Sequence, residues 1–291
     1  MASGDLHSFT AIDDRLSLLI IAADYVSTLA IASLAIASHH PLVTFVAIAL
    51  IAGRQVAFLN LVHAAAHYTL FSNRKANNRV DLVIGYPIFD SVRPYRSYHL
   101  QHHRDIARKS ADRFDYLYEQ LPAPNASRLR WTWVVIIKPL CGLAGVDFVR
   151  ATVDAARENS RLGLKFVAYW IVVMSAFWQA GWLTYLLIYW LLPLVWLYPV
   201  FYFWAEMTDH YAVRDEARNQ RGVFYSVFIK GHEMYHAVHH RNPRIPFYRI
   251  RAASRYLNAL GEHIEESRGV VDFVRILYQR TPVATLPDSH T

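Results

Sequence analysis

The stretch GHEMYHAVHHRNPRIPFYRI, residues 231–250, decides how the rest of this sequence is interpreted. It places His232, His236, His239 and His240 within nine residues, ahead of a run rich in proline and arginine. Two further histidine clusters lie far upstream, and their members are His63 and His67, and His99, His102 and His103. Because the clusters are far apart in sequence, chemistry that needs all of them must be assembled by the fold.

The spacing inside the clusters predicts helices that present imidazoles on shared faces. His63 and His67 are four residues apart, so a helix places them on one face. His99 shares a face in the same way with His102 and His103, and residues 236–240 repeat that spacing. We therefore expect the three imidazoles of each triplet to point into one volume. For the His63 pair alone, an ordinary histidine-rich helix end remains the alternative.

Eight neutral imidazoles suit a borderline divalent metal such as zinc, copper or iron. Eight ligands are too many for one tetrahedral zinc ion, whereas two metals with four or five ligands each fit the number. His210 offers a ninth ligand and His232 a tenth. For these two, a position behind the ligands or at the surface is the alternative.

Composition indicates a membrane protein. Of the 291 residues, 54% are hydrophobic and 14% are aromatic, including eight Trp and 18 Tyr, which suits interfacial aromatic belts. The single cysteine, Cys141, excludes an intrachain disulfide and a cysteine-rich zinc or iron–sulfur centre built from this chain. If the chain performs redox chemistry, its electrons come from another protein.

Four apolar runs predict transmembrane helices, at about residues 16–38, 42–62, 164–179 and 182–204. His39-His40-Pro41 and Gln179-Ala180-Gly181 are expected to form the turns between paired spans. Lys138-Pro139 interrupts the apolar segment Trp131–Val146, which we interpret as interfacial or re-entrant. The fold class that follows is an all-α integral membrane protein, one domain over residues 1–291, with a helical cap that carries the histidines.

Positive charge is concentrated outside the predicted spans. Of 30 Lys and Arg residues, 15 lie in residues 68–163 and 12 in residues 206–291. The positive-inside bias places both segments, and both termini, on the cytoplasmic side of a cytoplasmic (inner) membrane. The net charge of +7 is thus explained by topology and acidic membrane lipids, and we expect no nucleic-acid partner.

Two charged residues fall inside the first two predicted spans. Asp24 and Arg54 would lie at similar depth in an antiparallel hairpin. Because an unpaired charge there costs about 2.5–3.5 kcal/mol or more, we expect these two side chains to pair. The alternative is that Arg54 extends to water or lines a cavity.

The motifs HAAAH (63–67), HLQHH (99–103) and HAVHH (236–240), in this order, resemble the three histidine boxes of membrane fatty acid desaturases and related hydroxylases. NPRIPFYRI is similar to the Pro-x-x-Pro-x-Tyr stretch that follows the third box in that family. The run HHRDIARKSADRFDY resembles the acidic segment after the second box, with Asp112 and Asp115 at the aspartate positions. The resemblance covers about residues 20–250.

The resemblance implies a non-haem di-iron oxygenase, with two iron ions (Fe2+/Fe3+) that the box histidines would bind. Its substrates would be O2 and an acyl lipid, acyl-CoA or acyl-carrier-protein ester. The chain has no His-Pro-Gly-Gly motif, so a separate ferredoxin, or a cytochrome with its reductase, is the expected electron donor. Ala205-Glu206-Met207 stands where bacterial relatives often have Ala-Glu-His, and His210 follows three positions later.

A desaturase acting on an acyl chain is therefore the first functional prediction. A lipid or carotenoid hydroxylase or ketolase on the same scaffold is the alternative within the oxidoreductases. From other classes, a membrane zinc hydrolase or a non-catalytic metal-binding or transport protein would also use clustered histidines. The zinc hydrolase would need fewer ligands, and a transport protein would carry more polar residues through its spans.

Overall fold

A computed structural model describes residues 6–107, 121–123, 125–213 and 215–279, so Asp112 and Asp115 lie outside the described residues. Helices make up most of the described chain, and two short strands pair in parallel, with Asn219 opposite Glu266. The helices are α1 (Asp14–Ser38), α2 (Pro41–Ala66), α3 (Arg74–Asn77), α4 (Asp81–Ile84), α5 (Val92–Ala107), α6 (Arg128–Glu158), α7 (Ser160–Gln179), α8 (Leu183–His210), α9 (His236–Arg241), α10 (Phe247–Ala259) and α11 (Gly269–Leu277), and the strands are β1 (Asn219–Arg221) and β2 (Glu266–Arg268). The all-α prediction is confirmed.

The hairpin of α1 and α2 begins and turns as the sequence predicts. The side chain of Asp13 accepts hydrogen bonds from the backbone N–H groups of Arg15 and Leu16, which starts α1. His39 ends α1 in the left-handed conformation, with φ of 49°. The ring of His40 then accepts from the Leu42 N–H, and Pro41 occupies the first helical position of α2. The expected turn at residues 39–41 is confirmed.

The long helices divide into a central pair and an outer layer. Helices α2 and α8 are about half buried, whereas α1, α6 and α7 turn most of their apolar residues outward. Leu19 of α1, Leu164 of α7 and Trp178 of α7 are each about two thirds exposed or more. Large exposed apolar faces of this kind require a lipid environment, and the chain is therefore a membrane protein.

In the part of the chain that the structure describes, five helices are long and apolar enough to cross a membrane, one more than the sequence predicts. Four of them coincide within a few residues with the predicted spans. The fifth is α6, which contains the segment expected to be interfacial. It bends at Gly142, where φ is 89°, and its second half is amphipathic. One face of that half carries Asp147, Arg150, Asp154 and Arg157, a pattern typical of a helix lying at a membrane surface. We keep the four-span topology as a proposal, with α6 at the interface.

One glycine allows α2 to approach the segment that leads into the third histidine box. A Cβ on Gly53 would lie 2.0 Å from the carbonyl oxygen of Val227, which belongs to the π-helical turn Tyr225–Ile229. In an ordinary helix, replacing glycine by alanine stabilises by roughly 0.5–1 kcal/mol. Here we expect the opposite sign for Gly53→Ala, a loss of about 1–3 kcal/mol, measured as a lower unfolding midpoint in detergent. An unchanged or raised midpoint would show that the two segments are not in close contact.

The predicted pair inside the hairpin is confirmed, and it has a third member. Arg54 Nη1 lies 3.3 Å from Asp24 Oδ1. The other carboxylate oxygen lies 2.6 Å from Nε2 of His232, and Arg54 also donates to the carbonyl of Ser226. Asp24 is 3% exposed, so its charge is compensated inside the protein. The pair therefore ties α1 to α2 and to the start of the third box.

Asp24→Asn is expected to destabilise the protein by about 3 kcal/mol, because it leaves the buried side of Arg54 without its counter-charge. The measurement is the unfolding midpoint, together with the fraction of monodisperse protein in detergent. Asp147→Asn is the control, because its carboxylate is half exposed and lies 4.0 Å from Arg150, which is a weak contact. We expect the free energy of unfolding to change by no more than about 0.5 kcal/mol. Equal midpoints for both variants would contradict a structural role for the Asp24 pair.

Candidate metal centre

The first two histidines lie where α2 ends. His63 is in the last turn of the helix and His67 caps it, after three alanines whose small side chains let neighbouring helices approach. Tyr68 follows in the left-handed conformation, with φ of 59°, and stops the helix. Nε2 of His63 and Nε2 of His67 are buried and make no hydrogen bond within the described part of the chain. Such unpartnered buried nitrogens are free to bind a metal.

Nine histidines converge at this point in two groups. Within each group, one ligand nitrogen from every residue lies within 4.8 Å of all the others. The first group contains His63, His67, His99, His103 and His239, and the second contains His102, His210, His236 and His240. The structure thus brings together all eight box histidines and His210.

The nitrogens that face one another are spaced as ligands of a common ion would be. Nε2–Nε2 distances are 3.0 Å for His99 and His103 and 3.0 Å for His103 and His239 in the first group. In the second group the distances from His236 are 3.0 Å to His210 and 3.1 Å to His240. Two nitrogens bound at right angles to one ion, each at about 2.1 Å, lie about 3.0 Å apart. The donor set therefore fits a metal in each group.

Each histidine triplet contributes to both groups. In α5, His99 and His103 belong to the first group and His102 to the second. In α9 the assignment is exchanged, because His236 and His240 belong to the second group and His239 to the first. Each triplet therefore faces the whole centre. The middle histidine of each triplet belongs to one group, and the other two histidines belong to the other group.

Glu233 connects the two groups by contacting one histidine of each, and the sequence analysis did not identify it. Its Oε2 lies 2.8 Å from Nδ1 of His63, and its Oε1 lies 2.9 Å from Nδ1 of His236. Burial acts to raise the pKa of this carboxyl, but the contact and hydrogen bond with His63, together with the charge of Lys230, outweigh it and the pKa is lowered. An ionised carboxylate can accept both Nδ1–H groups, which leaves both Nε2 atoms as lone-pair donors.

A buried ion pair and a backbone carbonyl support the second group. Asp209 pairs with Lys230 and accepts a hydrogen bond from Gln220, and its carboxylate lies 3.9 Å from Nε2 of His236. Nδ1 of His210 lies 2.9 Å from the carbonyl oxygen of Glu216, so this nitrogen carries the proton. Nε2 therefore keeps its lone pair for a metal. The sequence analysis did not identify Asp209 or Lys230 as part of the site.

Burial keeps five of these rings neutral. It is the largest cause of the lowered pKa of His99, His236, His239 and His240, and neighbouring histidines add to it. The pKa of His103 is lowered to about 3 for the same reason. Neutral imidazole is the form that binds metal, so these side chains are ready to act as ligands near neutral pH.

His232 lies outside both groups. Its ring contacts Asp24, and its backbone N–H donates to Oδ1 of Asn60. The sequence offered it as a possible tenth ligand, and the structure places it instead between the third box and the α1–α2 hairpin.

A cavity of about 760 Å³ adjoins the centre, between the start of α5 and helices α6, α7 and α8. Leu59 and Tyr202 line it, and the same two side chains line a small space that touches His99, His102 and His236. Leu59 and Tyr202 thus form a wall that the cavity shares with the space touching the histidines. A substrate in the cavity would therefore lie next to the metal groups.

These features define a class: a helical membrane protein in which apolar and polar helices bring nine histidines together as a candidate metal centre beside a ligand-sized cavity. The sequence model described as fatty acid desaturase matches residues 38–266. The chain belongs to the fatty acid desaturase family. It therefore falls among the oxidoreductases, in a family whose members use metal.

The chain is also similar to a protein described as dihydrorhizobitoxine desaturase from Bradyrhizobium elkanii. The two are 24% identical over 237 residues, and the alignment covers 72% of this chain and 66% of the relative. The chain thus spans slightly less than two thirds of that relative's length.

Proposed function

We propose that this protein is an O2-dependent desaturase that uses two iron ions to introduce a double bond into the chain of a lipid or acyl ester. In the overall reaction, a –CH2–CH2– unit, O2, two electrons and two protons give –CH=CH– and two water molecules. A separate ferredoxin, or a cytochrome with its reductase, supplies the two electrons. O2 is the oxidant, and the substrate and the electron donor are both oxidised.

The arrangement of nine imidazoles in two groups is the observation that carries this proposal. Bound iron would supply the chemistry that activates O2 and removes hydrogen from an unactivated C–H bond. The described residues would hold the ions through Nε2 atoms, orient the rings through Glu233 and the Glu216 carbonyl, and keep water out by burial. The relative that is described as a desaturase supports the reaction type.

Topology and location form a further part of the proposal. Four spans would place the histidine centre and both termini on the cytoplasmic side of a cytoplasmic membrane, where soluble electron donors and acyl thioesters are available. A cysteine-accessibility assay in a Cys141→Ser background checks this, since Cys141 is exposed: Ser38→Cys, at the end of the first span, should react with an impermeant thiol reagent from outside intact cells. Ser8→Cys should react only after lysis, and the reverse pattern would overturn the orientation.

Metal analysis separates this proposal from the other classes. Protein purified without chelators is expected to carry about two iron ions per chain. Stoichiometric zinc without iron, in protein that was never exposed to other metals, would indicate a hydrolase or a storage protein instead. The second readout is the redox behaviour of the bound iron, which should be reducible and should be reoxidised by O2.

Product analysis separates desaturation from hydroxylation. The chain is expressed with a ferredoxin and its reductase, and cell lipids and amphiphilic metabolites are compared by mass spectrometry with cells that express His103→Ala. Loss of two mass units identifies a desaturase, and a gain of sixteen identifies the hydroxylase alternative. Iron-loaded, reducible protein that changes no compound in these cells would contradict the proposed reaction on their lipids.

A further inference from the structure

The wall of the cavity beside the histidine centre carries an unbalanced charge. Most of its wall is apolar and includes Leu59, Phe148, Leu162, Phe166 and Tyr202. Asp90, Asp147 and Glu158 also line it, and the basic residue in its described wall is Lys138. Asp147 is half exposed and lies 4.0 Å from Arg150, so it belongs to the rim. Asp90 is different, because it is less exposed than Asp147 and lies just before the start of α5.

The carboxylate of Asp90 has little to balance it. Its Oδ1 accepts the backbone N–H of Ser91 at 2.6 Å. Among the residues that the structure describes, neither Lys138 nor any arginine forms an ion pair with it. Burial raises the pKa of Asp90 to about 7, the Ser91 N–H opposes this, and the charge of Asp81 adds to the increase. An ionised Asp90 therefore gains from a cation that enters the cavity.

Asp90 is also not required to start α5, because Asp81 does that. Oδ1 of Asp81 accepts the backbone N–H of Val92 at 2.8 Å, and its Oδ2 accepts the hydroxyl of Ser91 at 2.8 Å. Both oxygens of Asp81 are thus occupied in holding the helix end. The two neighbouring carboxylates have separate environments, one turned into the fold and one lining the cavity.

The charge of the cavity disfavours anionic head groups. A free carboxylate or phosphate beside Asp90 would meet its carboxylate without a paired cation, which is a repulsive contact in a site of low polarity. A protonated amine would form a charge-assisted hydrogen bond with the carboxylate of Asp90, and the attached chain would pack against the apolar wall.

We propose that the substrate of this enzyme is an amphiphile that carries a protonated amine, and that Asp90 binds the amine while the chain lies along the wall formed by Leu59 and Tyr202. This inference rests on the proposed function for the reaction, and it goes further in assigning the class of substrate. Asp90 is then the residue that fixes the direction in which the substrate lies in the cavity.

The test is direct binding to the metal-loaded, full-length protein in lipid nanodiscs. Octylammonium, octan-1-ol and octanoate serve as matched probes, and affinity is obtained from the rise in unfolding midpoint with probe concentration. Octylammonium is expected to bind at least about tenfold more tightly than octanol, and octanoate more weakly than both. Asp90→Asn should abolish the preference for the amine and leave octanol binding unchanged. Asp147→Asn, at the exposed rim, should keep the preference.

Equal binding of octylammonium and octanol by the wild-type protein would overturn the inference, whether or not the Asp90 variant folds. A preference for the amine that survives in Asp90→Asn would also overturn it. Iron content and product formation are measured on the same preparations. Protein that contains no iron but keeps the amine preference would contradict the proposed function and leave the substrate assignment standing. An iron-loaded, active protein with no amine preference would contradict the substrate assignment and leave the proposed function standing.

Discussion

Replacing His210 by alanine is expected to lower product formation by at least about 100-fold, since loss of a residue that merely supports a ligand already costs 10–100-fold. His210 is one of four histidines in the second group, and its Nε2 lies 3.0 Å from that of His236. The expected direct readout is metal content, which should fall toward one ion per chain if the first group keeps its own.

His232→Ala is the matched control for this prediction. The sequence gives His210 and His232 similar standing, because each is a histidine near but outside the three boxes. The ring of His232 contacts Asp24 and lies outside both groups. We expect its substitution to lower stability while the folded fraction keeps its full metal content. Equal metal loss in the two variants would show that membership of the second group does not decide binding.

The second large effect is expected for Glu233→Gln. An amide of the same size can accept only one of the two Nδ1–H groups, and its NH2 group opposes the other. One imidazole, on His63 or His236, must then change tautomer or rotate. We expect metal affinity to fall about 10–100-fold, measured by titration with a competing chelator, and both metal groups should be affected because Glu233 contacts one ligand of each.

Glu216→Gln controls for a general loss of negative charge near the site. The carboxylate of Glu216 is 42% exposed and lies 3.7 Å from Nδ1 of His240, while the contact with His210 comes from its backbone carbonyl. This substitution should change metal affinity by less than about threefold. If Glu233→Gln binds metal as tightly as Glu216→Gln, the connecting role of Glu233 is wrong.

Local pattern was sufficient to predict much of this fold. Long apolar runs give the four predicted spans as helices, and the proline-containing turn at residues 39–41 lies where the sequence places it. The pair of Asp24 and Arg54 followed from depth in a hairpin alone. In each case the decisive interaction is either near in sequence or imposed by the cost of an isolated charge in an apolar layer.

The division of the histidines between two groups could not be predicted in the same way. Each residue turns an α-helix by about 100°, so the third and fourth residues after His99 point about 100° apart. Spacing therefore shows that the triplet spreads across a broad face, but only tertiary packing decides where that face is divided. The close approach at Gly53 likewise depends on a partner more than a hundred residues away.

Glu233 is a different case, because a signal was present. It precedes His236 by three residues, and metal-binding imidazoles generally donate their second nitrogen to a carboxylate or carbonyl. A search for acidic residues within three positions of each box histidine would have found it. Its second contact, with His63, spans 170 residues of sequence and could be seen only in the fold.

The parallel pair of β1 and β2 has a consequence for biosynthesis. β1 begins nine residues after His210, and its partner is made from the chain 47 residues later. Arg218, next to β1, binds the carbonyls of Thr208 and Ala212 at the end of α8 and pairs with Glu265 beside β2. On the ribosome, all nine histidines are therefore synthesised before Glu265, the partner of Arg218, has emerged. We expect a metal at this centre to be held stably only after β2 has been synthesised and paired with β1.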